Sequence, residues 1–268
     1  MKELHNYYRA NPHLQINEQS NPWKYFSSAE YHAALSAYPV ITANNWQKNN
    51  LVTELNIPEE RIKVFQYGID EIKFWSDASA YCEIQKPVGK KVIIFPARLV
   101  FVKGVDVLIA ALHLLKMVRQ DFVCWIVGDG DLREQLQNQV ASLGLQEEVL
   151  FLGERHDVPA LLMKSDIFVH SCLQDNQPYS LMEAQIAGLP ACVSNAGGLP
   201  EMVEHSVTGL VSEVGDVAAL SQHLQLLLEH DDLRRVMGNQ AKAWGSEHWS
   251  MSNMIQRLLN EYNLAIHS

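Results

Sequence analysis

A regular alternation of short apolar runs and amphipathic stretches begins near residue 91, and it restricts the fold more than any other feature of this sequence. The apolar runs are rich in β-branched side chains, which is typical of strands buried on both faces of a sheet. The predicted strands lie at residues 91–97, 122–128, 148–153, 165–171 and 189–195. The predicted helices lie at residues 104–120, 131–144, 157–164, 181–187, 216–229 and 231–243. Repeated βα units of this length predict an α/β fold, a Rossmann-like parallel sheet with helices on both faces.

The first 90 residues follow a different pattern. We predict a helix at 23–37, a strand at 38–44, a helix at 46–55 and a further strand that starts at residue 61. Because two strands are too few for an independent layered domain, this stretch is expected to be a partial N-terminal α/β segment. The predicted divisions are an N-terminal domain remnant, an irregular linker, the main domain and a terminal helix, at residues 1–72, 73–90, 91–245 and 246–268.

Composition argues against several classes of function. The 268 residues carry a formal net charge of −10, whereas a nucleic-acid-binding protein needs a basic face to displace the counterions of phosphates. The four cysteines are widely separated, which predicts free thiols in a reducing cytosol. The eleven histidines show no close ligand spacing, so no metal site is predicted. The sequence contains neither a run long enough to span a membrane nor an apolar leader in residues 1–20, so we expect a cytoplasmic protein.

Two cations follow the first strand of the main domain, in the loop PARLVFVKG at residues 96–104. Arg98 offers a fork of donors that suits a phosphate, and Lys103 adds a mobile point charge. Gly104 lets the backbone turn close to a ligand. The alternative is a pair of solvated surface cations, which is the usual environment of Arg and Lys. Both interpretations stay open for this loop.

Two carboxylates, Asp175 and Glu183, lie in the segment DNQPYSLMEAQIAGLP at residues 175–190, where a helix is predicted to start. Ser180 and Glu183 fit a capping box, in which the two side chains satisfy free amides of the first turn. The same helix start would present free N–H groups and a partial positive charge to an anion. The capping box explains neither Asp175 nor the rigid approach through Pro178, so a cap and a ligand site both stay open.

The carboxyl ends of parallel strands meet at one edge of a sheet, where ligands bind in folds of this class. The cations after one strand and the carboxylates after a later strand are therefore expected to share one crevice. Cations and amides suit a diphosphate, and a carboxylate accepts hydrogen bonds from vicinal hydroxyls. The implied ligand is a nucleotide diphosphate that carries a sugar.

The sequence resembles the retaining glycosyltransferases of family 4, which have the two-domain GT-B fold. The resemblance runs through PARLVFVKGVDVLIAAL (96–112), WIVGDGDLREQL (125–136), VLFLGERHDVPALLMKSDIFVHSC (149–172), DNQPYSLMEAQIAGLPACVSNAGGLPE (175–201) and TGLV (208–211). The stretch 39–74 is similar to the end of the family's N-terminal domain and the hinge after it. The resemblance also implies that residues 246–268 cross back toward the N-terminal part.

The resemblance assigns catalytic roles to four residues. Arg98 and Lys103 match the basic pair that holds the donor diphosphate. Asp175 and Glu183 match the ends of the family's E-x7-E motif, with the first near the transferred sugar and the second on the ribose hydroxyls. Aspartate in place of glutamate at position 175 keeps the charge but shortens the reach by one methylene.

Further positions are expected to bind the nucleotide sugar. Residues 153–155 lie where the family places the base, two glycines line the neighbouring turn, and the amides of residues 179–181 would meet phosphate or sugar oxygens. The full set of expected binding residues is Gly128, Gly130, Gly153, Glu154, Arg155, Pro178, Tyr179, Ser180 and Leu181.

The resemblance implies a hexosyltransferase-type enzyme without a cofactor. It would move a sugar from a nucleotide-diphosphate donor to a hydroxyl of a sugar, a lipid-linked molecule or a polysaccharide, with retention of anomeric configuration. A lipid-linked acceptor would place it at the inner face of the membrane. The alternative is a catalytically incomplete nucleotide-sugar-binding module, or a subunit that needs a partner chain or self-association through its incomplete N-terminal part. The family's histidine-containing N-terminal loop has no match among the histidines of this chain.

Overall fold

The structure, a computed structural model, describes residues 39–267. The chain divides into two compact units, residues 1–66 and residues 67–268. The predicted helix at 23–37 lies outside the described residues. Over the part that is described, no helix combines the length and the apolar character that crossing a membrane requires.

The described part of the first unit contains β1 (Val40–Thr42), α1 (Asn45–Leu55) and β2 (Ile62–Val64), and the two strands pair in parallel. The Asn44 side chain caps α1 by accepting a hydrogen bond from the Gln47 amide at 2.8 Å. The predicted strand at 38–44, helix at 46–55 and strand from residue 61 are confirmed.

The second unit is built on a six-stranded sheet in which every neighbouring pair is parallel. Its strands are β3 (Lys91–Pro96), β4 (Phe122–Val127), β5 (Val149–Gly153), β6 (Ile167–His170), β7 (Ala191–Ser194) and β8 (Gly209–Ser212). Their order across the sheet is β5-β4-β3-β6-β7-β8. The predicted parallel α/β fold is confirmed. The short strand β8 at the edge of the sheet was not predicted.

The helices of this unit are α2 (Glu71–Ala78), α3 (Val105–Lys116), α4 (Arg133–Ser142), α5 (Val158–Met163), α6 (Tyr179–Ala187), α7 (Val217–Glu229), α8 (Asp231–His248) and α9 (Met251–His267). They cover both faces of the sheet. Successive side chains of β3 point to opposite faces, yet Val92, Ile93, Ile94 and Phe95 are all fully buried. The bounds of these helices confirm the six helices predicted for the main domain, although α3 ends at Lys116 and α8 extends to His248.

The expectation that residues 73–90 are irregular is wrong for residues 73–78, which belong to α2. Asp70 caps this helix by accepting a hydrogen bond from the Lys73 amide at 3.0 Å, and Phe74 packs into the core. Because the helix has only eight residues and buries a single side chain, it shows no apolar repeat in the sequence. The predicted terminal helix at 246–268 is also interrupted, because α8 ends at His248 and the fully buried Trp249 separates it from α9.

Successive strands of the chain are added first on one side of β3 and then on its other side, so the strand order reverses between β3 and β6. The chain moves outward from β3 to β4 and β5, and it then returns to add β6, β7 and β8 on the other side. The loops that leave the carboxyl ends of β3 and β6 therefore diverge, and this leaves a crevice at that edge of the sheet. The sequence-predicted cations follow β3, and Asp175 follows β6.

Helices α6 and α8 pack at very close range through two glycines. A Cβ placed on Gly238 in α8 would clash with the carbonyl oxygen of Gly188, the residue that ends α6. We therefore expect Gly238→Ala to lower the free energy of unfolding by about 1–3 kcal/mol, although alanine is the better helix former. The neighbouring Asn239→Ala, at an exposed position of the same helix, is the control and should change stability little. Urea denaturation measures both, and equal stability of the two variants would contradict this packing.

Candidate functional site

A cavity of about 450 Å³ opens at the carboxyl edge of the sheet, where the strand order reverses. Loops after β3, β4 and β5 and the first turns of α6 form its walls. Seven of the sequence-predicted site residues line it, namely Arg98, Gly128, Glu154, Arg155, Tyr179, Ser180 and Glu183. The structure thus brings the guanidinium of residue 98 and the carboxyl group of residue 183 to one cavity.

Arg98 and Arg155 differ in the hydrogen-bond partners of their guanidinium groups. Arg155 donates two hydrogen bonds to Asp157, at 2.9 and 2.7 Å, and a third to Glu83 at 2.9 Å. Arg98 is exposed, and within the described part of the chain its guanidinium forms neither a hydrogen bond nor an ion pair. Arg98 is therefore the arginine of this cavity whose donors are available to an anion.

The first turn of α6 does not contain the capping box, which was one of the two interpretations left open by the sequence. The helix begins at Tyr179 after Pro178, and no side chain accepts a hydrogen bond from its first amides. Ser180 is therefore the second helical residue rather than the N-cap, which corrects the sequence interpretation. The helix starts at Tyr179, two residues before the start that a Ser180 N-cap would give. The Glu183 side chain therefore does not take part in a capping box.

Free amides at the helix start face the same region. Tyr179 and Ser180 occupy the first two helical positions, so their N–H groups have no acceptor within the helix. The Leu181 amide already donates to the Pro178 carbonyl at 3.1 Å, and the Leu181 side chain is fully buried in the core. Of the three predicted amides, those of Tyr179 and Ser180 are therefore the better placed for an anion.

Glu183 lies half-buried in the cavity wall in an environment that disfavours its charge. Burial, with a smaller contribution from the nearby carboxylate of Asp77, raises the pKa of Glu183 to about 7. Burial also raises the pKa of Tyr179, with further contributions from Glu183 and Asp70. A carboxyl group that titrates near neutral pH can either donate or accept a hydrogen bond to a ligand hydroxyl.

Asp175 and Lys103 are not among the residues that line this cavity, and they form a second cluster around one carboxylate oxygen. The Lys103 ammonium contacts Asp175 Oδ2 at 2.6 Å, and His170 Nε2 lies 2.7 Å from the same oxygen. The other carboxylate oxygen accepts a hydrogen bond from the Asn176 amide at 2.9 Å. Burial opposes ionisation of Asp175, but the hydrogen bond from His170 and the charge of Lys103 outweigh it. The pKa of Asp175 therefore lies below its usual range.

The loops around Asp175 pack against one another through close backbone contacts. A Cβ on Gly104, after β3, would clash with the Ser171 carbonyl, and the Ser171 hydroxyl donates to the Gly104 carbonyl at 2.8 Å. A Cβ on Gly197, after β7, would clash with the carbonyl of Asp175 itself. Both glycines have positive φ, so only glycine fits them without strain. The position of Asp175 is thus set by three loops at once.

Sequence reasoning missed His170, because the only signal was its place at the carboxyl end of a predicted strand. The remaining expected residues lie at the edge of the site. Gly130 packs against the backbone of Leu99, Gly153 ends β5, and Pro178 is the N-cap of α6.

The donor atoms of His170, Cys172 and Asp175 lie within 4.8 Å of one another, but the cluster does not suit a metal ion. Burial raises the pKa of Cys172 to about 12, so its sulfur is a protonated thiol near neutral pH. The Lys103 ammonium already neutralises the shared carboxylate, and it would repel a cation there.

The raised pKa of Glu183 predicts a pH-dependent effect on stability. The folded protein holds this proton up to about pH 7, whereas the unfolded chain releases it near pH 4.5, so stability falls as pH rises through that interval. Glu183→Gln removes the effect and should stabilise the protein by about 1–3 kcal/mol more at pH 8 than at pH 4.5. Urea denaturation at the two pH values measures this difference, with the exposed Glu247→Gln as control. A pH-independent difference from the wild type would show that Glu183 ionises normally.

Two curated relatives are similar along most of the chain. An uncharacterized glycosyltransferase of Methanocaldococcus jannaschii is 27% identical over 258 residues, which are 92% of this chain and 65% of that protein. The N-acetyl-alpha-D-glucosaminyl L-malate synthase of Bacillus anthracis is 30% identical over 209 residues, which are 76% of this chain and 54% of that protein. The chain thus spans between half and two thirds of the length of these relatives.

The fold matches solved glycosyltransferase structures. Anabaena HepE in complex with UDP superposes with a TM-score of 0.79 at 25% sequence identity, over 90% of this chain and 69% of that chain. The same protein has been solved with UDP-glucose, and the TM-score is then 0.77 at the same identity and coverage. These similarities confirm the GT-B type of fold. The sequence pattern of the family described as "Glycosyl transferases group 1" matches residues 82–244, more than half of the chain. The chain therefore belongs to the glycosyl transferases group 1 family.

Proposed function

We propose that this chain binds a nucleotide-diphosphate sugar and is the donor-binding part of a retaining, hexosyltransferase-type glycosyltransferase of family 4. The observation that carries the proposal is the presence of an unpaired arginine, free helix amides and a half-buried carboxyl group in one cavity. The acceptor is a hydroxyl group of a sugar, a lipid-linked molecule or a polysaccharide.

We assign different parts of the cavity lining to the different parts of such a donor. The Arg98 guanidinium and the amides of Tyr179 and Ser180 would hold the diphosphate. The carboxyl group of Glu183 would bind the ribose hydroxyls, and Glu154, which lines the cavity on the loop after β5, would lie near the base. HepE, which binds UDP and UDP-glucose, has the same fold over 90% of this chain, and this similarity supports the proposal.

Lys103 and Asp175 would act at the transferred sugar. The ammonium group has three N–H donors, so it can keep its contact with Asp175 and still donate to a phosphate oxygen of the donor. Asp175 has a side chain only 16% exposed and is held ionised, so it would present a fixed negative charge to the sugar. Positive charge develops at the anomeric carbon as the leaving group departs, and this carboxylate would stabilise it.

The reaction exchanges one bond at the anomeric carbon for another. The bond between this carbon and the diphosphate oxygen breaks, and the acceptor oxygen forms its bond on the same face, which retains the configuration. The acceptor proton passes to the departing phosphate. Arg98, Lys103 and the helix amides would stabilise the negative charge that develops on the diphosphate, so the contribution of the protein is mainly electrostatic.

A melting-temperature screen against UDP, GDP, ADP and their hexose conjugates tests the function and identifies the base. A ligand that binds only the folded chain stabilises it by about 2.7 kcal/mol at one hundred times its Kd, which raises Tm by several degrees. We expect one of the three nucleotide series to give this shift. If none of them changes Tm, the proposed function is wrong. Donor that binds but is neither transferred nor hydrolysed would instead favour a nucleotide-sugar-binding module that needs a partner.

Replacement of Arg98 tests the assignment of the diphosphate. Arg98→Ala should weaken binding of the selected nucleoside diphosphate by about tenfold or more, because it removes a charge-assisted contact. Arg235→Ala is the matched control, since Arg235 is an exposed arginine of α8 that is paired with Asp232 at 3.1 Å. Isothermal titration calorimetry measures both affinities. Equal affinity in the Arg98 variant and the wild type would remove Arg98 from the site.

A further inference from the structure

His170 is the buried residue beside the site that the proposed function leaves without a role. It is the last residue of β6, and its relative exposure is only 1%. Its ring lies nearly parallel to those of Phe95 and Phe168, with centroid distances of 5.8 and 6.2 Å and interplanar angles of 17° and 16°. Burial among these rings and the contact of Nε2 with Asp175 restrict the orientation of the imidazole.

The surroundings of the ring determine which nitrogen carries the proton. Nε2 lies 2.7 Å from Asp175 Oδ2, whereas Nδ1 is buried and has no hydrogen-bond partner among the described residues. A proton on Nδ1 would be a buried donor without an acceptor, which is costly. The neutral tautomer with its proton on Nε2 is therefore favoured. Burial also lowers the pKa of His170, although Asp175 opposes this effect.

This tautomer gives Asp175 a fixed neutral donor in addition to a mobile cation. The Lys103 side chain has several rotatable bonds and is 16% exposed, whereas the His170 side chain is only 1% exposed and lies nearly parallel to two phenyl rings. The Asn176 amide binds the other oxygen, Oδ1. The direction of the carboxylate plane is thus set by His170 and this amide, and Lys103 is left free to follow a ligand.

We propose that His170 is a positioning residue for sugar transfer, which orients Asp175 toward the transferred sugar through the hydrogen bond from Nε2. The inference rests on the proposed function, because it concerns the same site. His170 does not touch the substrate, since its side chain is buried and its Nε2 faces Asp175. Its effect is therefore expected on the sugar and absent from the nucleoside diphosphate, which is held by other residues.

Two substitutions separate the hydrogen bond from the volume of the side chain. His170→Met fills the space with a flexible apolar chain and removes the donor. His170→Gln keeps an N–H donor near the position of Nε2 and is the conservative control. We expect His170→Met to raise the Kd for the hexose conjugate by about tenfold and to leave the Kd for the nucleoside diphosphate unchanged within about twofold. The ratio of the Kd for the diphosphate to the Kd for its conjugate should therefore fall by about tenfold. His170→Gln should restore most of the ratio.

The reference ligands are UDP, GDP or ADP, whichever is selected by melting temperature, and the corresponding hexose conjugate, with Kd values from calorimetry. Where the wild type transfers or hydrolyses donor, kcat of His170→Met should fall by about ten- to a hundredfold. A background of Asp175→Asn should abolish the effect of His170→Met on the ratio, because the two residues act through one contact.

These measurements distinguish failure of the proposed function from failure of the positioning role. If the wild type binds none of the nucleotides, the proposed function fails and this role fails with it. If the wild type binds nucleotide and the ratio is unchanged in His170→Met, the positioning role alone is overturned. A parallel loss of affinity for the diphosphate and its conjugate, without rescue by His170→Gln, would also overturn it and would show a merely structural role.

Discussion

The parallel pairing of β3 with β4 on one side and with β6 on the other is the constraint on which the site depends. The register pairs Lys91 with Phe122 and Pro96 with Val127, so β3 and β4 end at the same level. Strand β6 continues the sheet on the opposite side of β3. The loops after β3 and β6 consequently leave the sheet in different directions, and the space between them is the crevice. The loops and the helix that carry the groups of the candidate site follow the carboxyl ends of the strands.

The two carboxyl groups at this edge have opposite electrostatic environments. Asp175 receives hydrogen bonds from a lysine, a histidine and an amide, and its pKa lies below the usual range. Glu183 is half-buried near Asp77, and its pKa is raised to about 7. Such a separation of pKa values allows two carboxyl groups to perform different tasks in one site. In the proposed function, Asp175 supplies a fixed charge to the sugar, and Glu183 supplies a group that can exchange hydrogen bonds with hydroxyls.

Much of the fold was predictable because the strands are buried on both faces. Continuous apolar runs such as Val92–Phe95 arise from that burial, and the helices between them show their apolar stripes. The presence of Arg98 and Glu183 in one cavity follows from the rule that parallel strands present their carboxyl ends at one edge. These features depend on local patterns and on one general rule of topology, so the sequence contains them.

Other features depend on contacts that no local pattern encodes. Helix α2 buries only Phe74, so its sequence shows no apolar repeat. Helix α6 starts at Tyr179, so the capping box that the sequence left open is not formed. The ion pair between Lys103 and Asp175 joins residues that are 72 positions apart in the chain. His170 resembles any other residue of a buried strand until its neighbours Phe95, Phe168 and Asp175 are known. Such pairings are decided by the packing of loops from different strands.

A crystal structure of the chain with the bound nucleoside diphosphate tests the central claim most directly. The account predicts that a phosphate oxygen lies within hydrogen-bonding distance of the Arg98 guanidinium and that a ribose hydroxyl lies within the same distance of the Glu183 carboxyl group. A nucleotide bound at the opposite edge of the sheet, or in the cavity without contact to either residue, would contradict it.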